Sequence, residues 1–354
     1  MDYSLLFTLL QEALWRGEEP IPSDLSSEKV EDIFLLAEQQ AVSGLVVDAI
    51  IRHDVKIPQQ WVFEAVGIIE QIKQQSKVIN EGVIKLNNLM LDDGISYVIV
   101  KGQTVASKYP DPLIRQSGDI DYYCDSINFP LSQEAIKKHW GIEPRREESD
   151  LHVHFDCQDV TYEGHFSLTS LYSKKRTLYW QQLLDNDKGD TVSIGGHNIK
   201  TLSATTHTLY IFIHLYSHLL ALGVGLRQFC DLAVMLHYCK GQIDMDELRR
   251  HLRGLGLEHA YKACGSILVN QLGLPQEDLG YHLSDSDRKY GEKILEVVIY
   301  RGNMGHYNKR SGFSGWKHKV EALGIKISHF MKFMPLAPEY SRGWLWHELI
   351  RQAK

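Results

Sequence analysis

Two carboxylates stand two residues apart in the run Gly118-Asp119-Ile120-Asp121-Tyr122-Tyr123. Aspartate is a poor strand former, so a pair inside an apolar, aromatic run asks for a chemical reason. On an extended chain, residues i and i+2 share a face, about 6.5–7 Å apart along the strand. Asp119 and Asp121 would repel each other there unless something positive lay between them. A hard divalent cation such as Mg²⁺ takes oxygen ligands and keeps positions open for substrate phosphates. Ile120 would turn the other way, into the core. The pair reads as a metal platform on a strand edge, suited to phosphoryl or nucleotidyl transfer. The competing reading is a solvated turn or a helix cap.

The residues upstream favour the platform. Ile95-Ser96-Tyr97-Val98-Ile99-Val100 is a short β-branched run, read as a buried strand, and it leads into Lys101-Gly102-Gln103-Thr104. A glycine at a strand-to-helix corner lets backbone N–H groups approach phosphate oxygens. Lys101 adds a mobile point charge and Thr104 a hydroxyl. Tyr109-Pro110-Asp111-Pro112 must break any helix that follows. Arg115 then precedes Gly118, close enough to grip the same phosphates in bidentate fashion.

The order Val100-Lys101-Gly102, then Arg115-Gln116-Ser117-Gly118-Asp119-Ile120-Asp121, resembles the nucleotidyltransferase superfamily related to DNA polymerase beta. More narrowly, it is similar to a large bacterial group of uncharacterised nucleotidyltransferases. Nucleotidyltransferase toxins of abortive-infection systems share the order. Leu36-Ala37-Glu38-Gln39-Gln40-Ala41-Val42-Ser43-Gly44-Leu45 and Gly225-Leu226-Arg227-Gln228-Phe229-Cys230-Asp231-Leu232-Ala233 fit the narrower group. One departure is plain: the superfamily usually has Gly-Ser or Gly-Gly at the corner, and this chain has Gly102-Gln103. The resemblance implies a third carboxylate on a neighbouring strand. Leu151 to Asp156 and Val160 to Leu168 read as the two arms of a hairpin, with Asp159 in its turn. By resemblance Glu163-Gly164-His165 matches the group's E-x-H element, which makes Glu163 the third ligand and Asp156 the runner-up.

The histidines admit other readings. His152, His154 and His165 could form a zinc site, because imidazole is a good zinc ligand. No Cys-x-x-Cys or His-Glu-x-x-His accompanies them, which favours substrate contact or support of the metal ligands. His214 and His218 are four apart in a helical run, with Leu215 where a zinc protease needs Glu. They read as hydrogen-bonded histidines on a helix face. With Arg227 and Asp231 they are also candidates to hold an acceptor. Arg227 and Asp231 are equally well read as a helix-surface pair.

Composition bounds the rest. The 354 residues are 44% hydrophobic, enough for a large core and two or three domains. Five cysteines, odd in number and unclustered, suit a reducing compartment, and a cytoplasmic location is expected. The net charge of −7 argues against broad nucleic-acid binding, Lys174-Lys175-Arg176 being the one local basic run. Leu202 to Leu226 contains no Lys, Arg, Asp or Glu, but histidines, hydroxyls and glycines interrupt it. A buried helix accounts for it better than a membrane span. The N-terminal residues lack the features of a secretory signal.

Punctuation divides the chain into an N-terminal helical region (1–93), a nucleotidyltransferase core (94–200) and a C-terminal helical domain (201–354). Ser27 opens one helix. Pro58 starts a long one that Asp92-Asp93-Gly94 stops. Leu131 to Trp140 forms a helix among the strands. Asp244 to Glu247 has capping-box spacing. Gly273-Leu274-Pro275 and the stretch from Gly302 to Gly315 break the C-terminal helices. The expected class is α+β, a small mixed sheet flanked by helices. The resemblance implies a Mg²⁺ (or Mn²⁺) enzyme that moves a nucleoside monophosphate from a nucleoside triphosphate to an acceptor hydroxyl. Asp119, Asp121 and Glu163 would hold two ions. Lys101, Gly102, Gln103, Thr104 and Arg115 would hold the triphosphate. A toxin acting on tRNA or protein is an alternative. So is a catalytically degenerate nucleotide-binding or scaffold protein, which Gln103 favours.

Overall fold

Helices occupy the chain up to the first strand: α1 (Ser4–Trp15), α2 (Ser27–Gln39), α3 (Ser43–Arg52) and the long α4 (Gln59–Asp92). Pro58 caps α4 at its N-terminus, where a missing N–H costs nothing. The turn at Gly94, with φ of 67°, ends it. The computed structural model describes residues 3–17, 20–146, 151–221, 223–303 and 330–353.

Strands follow: β1 (Val98–Val100), β2 (Asp119–Tyr123), β3 (Arg145–Arg146), β4 (His152–Cys157) and β5 (Val160–His165). They form one sheet in the order β1-β2-β5-β4-β3. Only β2 and β5 run parallel; the other neighbours are antiparallel. The short α5 (Gly102–Ala106) lies between β1 and β2, and α6 (Asn128–Trp140) between β2 and β3. The chain is thus α+β, with a small mixed sheet and flanking helices.

One sheet face is apolar. Ile120 and Tyr122 of β2, Tyr162 of β5, and Val153 and Phe155 of β4 pack with Ile79, Val83 and Leu86 of α4 and Ile136 of α6. The helix approaches closely at Gly82: a Cβ there would lie 2.9 Å from Ile120 Cδ1 and from the Tyr162 hydroxyl. Period-2 alternation then sends Asp119, Asp121, Glu163 and His165 to the opposite face.

A second hairpin, β6 (Asp190–Ile194) and β7 (His197–Thr201), adds Val192, Ile194 and Ile199 to the same core. Its two turn residues, Gly195 and Gly196, both have positive φ, as a tight hairpin turn requires.

The chain divides into two compact units. The first comprises Met1–Ala37, Val42–Ser170 and Asp187–His207, so the N-terminal helices and the sheet belong together. The second comprises Glu38–Ala41, Leu171–Asn186 and Thr208–Lys354. Its helices include α7 (Lys174–Asp185), α8 (Ala204–Leu220, which begins in the first unit), α9 (Leu226–Tyr238), α10 (Met245–Leu255), α11 (Glu258–Asn270), α12 (Asp285–Arg301) and α13 (Pro338–Ala353). Within it Gln40 is fully buried and ties two helices: its side chain donates to the Val298 carbonyl at 3.1 Å and accepts from the Leu226 N–H at 3.1 Å. Asp244 caps α10 by accepting from the Glu247 N–H at 2.9 Å. The uncharged stretch from Leu202 supplies α8, and among the described residues no helix is long and apolar enough to cross a membrane. Gly302 ends α12; the rest of the break expected up to Gly315 lies outside the described residues.

Candidate active site

The polar sheet face is a grid. Across β2 and β5, Asp119 pairs with Thr161, Asp121 with Glu163 and Tyr123 with His165. Across β5 and β4, Thr161 pairs with Asp156, Glu163 with His154 and His165 with His152. Asp121 and Glu163 are therefore direct neighbours on adjacent parallel strands, with Asp119 two residues along from Asp121. Asp156 is one strand further from β2, mostly exposed, and accepts a hydrogen bond from Thr161 at 2.7 Å. Asp159 lies in the turn between β4 and β5.

A lysine and a histidine answer the acids. Lys101 Nζ lies 2.7 Å from Asp121 Oδ1. His165 Nε2 lies 2.8 Å from the same oxygen and 3.5 Å from Glu163 Oε2. One ligand atom each from Asp121, Glu163 and His165 falls within 4.8 Å of the others. Two carboxylates and an imidazole at that spacing form a donor set that fits a divalent cation.

The corner after β1 is strained. Lys101 has φ 57° and ψ −146°, a region almost reserved for glycine, at a cost of about 1–3 kcal/mol. Gly102 follows at φ 40°. The Lys101 N–H donates to His207 Nε2 at 3.1 Å, and the Thr104 hydroxyl donates to the Lys101 carbonyl at 2.6 Å. These two bonds hold the turn that aims the lysine at Asp121. With five residues, α5 is too short for a strong dipole.

Gln103 and Arg115 also tie the corner to its neighbours. Gln103 is buried, and its amide donates to Ser76 Oγ at 3.3 Å and to Asn80 Oδ1, both on α4. Its carbonyl oxygen accepts from Ser117 Oγ at 2.5 Å. Arg115, also buried, donates to Ser117 Oγ at 2.8 Å. The Ser43 N–H donates to Gln116 Oε1 at 2.7 Å. The Arg115-Gln116-Ser117 run thereby fastens the start of β2 to the helices behind it.

Residues 26–271 match the family described as uncharacterised nucleotidyltransferase. The chain belongs to this family. The match takes in the whole nucleotidyltransferase sheet and corner and ends beside α11. A solved structure of an antigenic nucleotidyltransferase-like protein from Paracoccidioides brasiliensis is 18% identical, covering 56% of this chain and 92% of that one at a TM-score of 0.33, a likeness too low to bear on function. No match is found among curated proteins.

Electrostatics single out Asp121 within this nucleotidyltransferase sheet. Burial alone would raise its pKa, but the Lys101 charge and the His165 hydrogen bond override it and hold the carboxyl far below its ordinary range. Glu163 is also lowered: burial and the Asp121 charge oppose ionisation, while His165 and Lys101 prevail. His165 moves the other way. Burial would lower it, and its hydrogen bond to Asp121 and the nearby Glu163 carboxylate raise it.

His207 was not singled out by sequence reasoning. It lies 106 residues from Lys101, and no local spacing signals such a partnership. Of the remaining histidines, the His152 and His165 rings lie 5.0 Å apart, and His154 pairs loosely with Asp156 at 3.5 Å. His214 and His218 stack edge to face at 4.4 Å in the second unit, where Asp231 is buried.

Proposed function

We propose that the protein is a metal-dependent nucleotidyltransferase that moves a nucleoside monophosphate from a nucleoside triphosphate to an acceptor hydroxyl. The observation that carries this reading is the pairing of Asp121 with Glu163 on parallel neighbours, with Asp119 on the same face. Acids crowd there on a rigid sheet whose other face is core. Asp119, Asp121 and Glu163 would hold Mg²⁺ or Mn²⁺. Such ions supply charge neutralisation for the attacking and leaving oxygens of an in-line displacement.

The chain's own residues have separate tasks. Lys101, already at the acids, is the group placed to meet a triphosphate as a mobile charge. Gly102 gives the turn its freedom. Gln103, Thr104 and Arg115 keep the corner and β2 in register, and positioning of this kind carries most of the catalysis in phosphoryl chemistry. In the transfer the acceptor hydroxyl gives up its proton to solvent, and its oxygen bonds to the α-phosphorus. The bond to the bridging oxygen breaks, and pyrophosphate leaves with the electron pair. The acceptor is a small molecule, a protein hydroxyl or an RNA end.

The test is thermal stabilisation by each of the four triphosphates, with and without Mg²⁺ or Mn²⁺. Stabilisation that needs both metal and triphosphate, and that vanishes in Asp119→Asn and Asp121→Asn, is the expected result. Equal shifts in wild type and the double variant would sink the reading.

A further inference from the structure

We propose that His165 is itself a metal ligand, through Nε2, beside Asp121 and Glu163, and that this mixed nitrogen–oxygen set makes the site select Mn²⁺ over Mg²⁺. The proposal rests on the metal-dependent reading above and adds a ligand and a metal preference to it.

The geometry of the imidazole is the starting point. His165 is buried, at 6% exposure, and shares a strand face with Glu163 two residues before it. It reaches diagonally across to Asp121, whose own register partner is Glu163. Its Nε2 sits 2.8 Å from Asp121 Oδ1 and 3.5 Å from Glu163 Oε2. The first distance is a hydrogen bond. The second is too long for a good one. Without a metal the ring hydrogen-bonds to Asp121 and faces Glu163 beside it. A nitrogen facing a shared centre has a different requirement. Oxygen and nitrogen ligands at about 2.1 Å from an octahedral ion lie roughly 3 Å from one another when adjacent. The two observed separations bracket that figure.

Donor chemistry then sets the preference. Mg²⁺ is hard, keeps water or carboxylate oxygens and tolerates imidazole poorly. Mn²⁺ accepts carboxylates equally and takes a nitrogen more readily. Replacing one oxygen by imidazole therefore penalises Mg²⁺ more than Mn²⁺. On metal binding the Nε2 lone pair turns to the cation, and any proton it carried leaves to solvent. Lys101 Nζ, now on Asp121 Oδ1, gives up that oxygen to the ion.

Electron spin echo envelope modulation of Mn²⁺ bound to the full-length protein tests this directly. Wild type should show ¹⁴N modulation from a coordinated imidazole. The modulation should disappear in His165→Gln and persist in His152→Gln. Competition titrations should show the Mn²⁺-over-Mg²⁺ affinity ratio falling about tenfold in His165→Gln. Should His165→Gln fail to fold, His165→Asn takes its place, and ¹⁵N-histidine labelling of wild type must alter the signal. Bound Mn²⁺ without nitrogen modulation overturns the proposal and leaves the metal-dependent reading standing. Modulation lost in His152→Gln instead overturns the assignment. No Mn²⁺ binding at millimolar metal overturns both.

Discussion

Two clusters of buried charge in the first unit can be set side by side. In the helical one, Glu12 accepts from Arg52 Nη1 at 3.0 Å and His53 Nε2 at 2.8 Å, while Asp48 meets Arg52 Nε at 2.9 Å and Arg16 Nη1 at 2.7 Å. Two acids there face two guanidinium groups and an imidazole. In the sheet cluster Asp121 and Glu163 face one lysine and one imidazole. The scaffolds differ as well. Long arginine side chains on helices swing to their acids. The strands fix Asp121 against Glu163 by register, whatever cation is present. A balanced cluster on adaptable side chains is a fastening. An acid pair fixed by strand register on a rigid sheet keeps its spacing whichever cation it meets.

That contrast can be broken most forcefully at Arg52. Arg52→Ala takes a guanidinium from both Glu12 and Asp48, leaving His53 on one and Arg16 on the other, and should cost about 2 kcal/mol of stability. The gain in stability from added Mn²⁺ should be untouched. Urea unfolding with and without metal measures both, and a loss of the metal increment would erase the distinction between the clusters. Asp121→Asn should do the reverse. At metal concentrations about a hundredfold above Kd, binding adds about 2.7 kcal/mol to wild type. That increment should be absent in the variant.

Lys101 sharpens the comparison on a smaller scale. Lys101→Gly and Lys101→Ala remove the same charge, but only glycine relieves φ 57°. The glycine variant should be the more stable by about 1 kcal/mol, strain relief outweighing glycine's entropy. Both should bind metal alone more tightly than wild type and triphosphate more weakly, since the ammonium opposes one and attracts the other. Calorimetric titration of each ligand separates the two effects.

The smallest effect is on pH dependence. His165 has a pKa raised above its usual 6.5 in the folded protein. Its charged form therefore contributes stability in full below about 6.5. That contribution is lost as pH rises through the higher folded value. Metal-free wild type should lose stability gently above pH 6.5, and His165→Gln should flatten the slope. Asp121 acts at the acid end. Its depressed pKa gives stability above the ordinary carboxylate value, lost as pH falls further.

Much of this arrangement was legible locally. The Asp119-x-Asp121 spacing, the β-branched run before Lys101, the hairpin around Asp159 and the Pro58 and Gly94 boundaries each express a preference of a few neighbouring residues. What alternation does not say is which strand lies next to which. Nothing local places Glu163 opposite Asp121, because that register joins strands separated by α6, β3 and β4; family resemblance pointed to it instead. Gln103 shows the same limit. Its place after Gly102 reads as a phosphate corner, and nothing local foretells that its side-chain amide meets Ser76 and Asn80 of α4. The Gly195-Gly196 pair between alternating runs was a hairpin signal in plain view.

The parallel pairing of β2 with β5 also bears on how the protein folds. β1 and β2 are separated by a short connection, so Lys101 can reach Asp121 early. β4 and β5 form a hairpin of their own. Joining the two halves closes a loop of about forty residues, a slow, non-local step. That one step brings Glu163 and His165 to Asp121. Until that pairing is made, β2 carries Asp121 and its Lys101 counter-charge without Glu163 and His165, so the polar cluster is a product of the tertiary fold and not of any local segment.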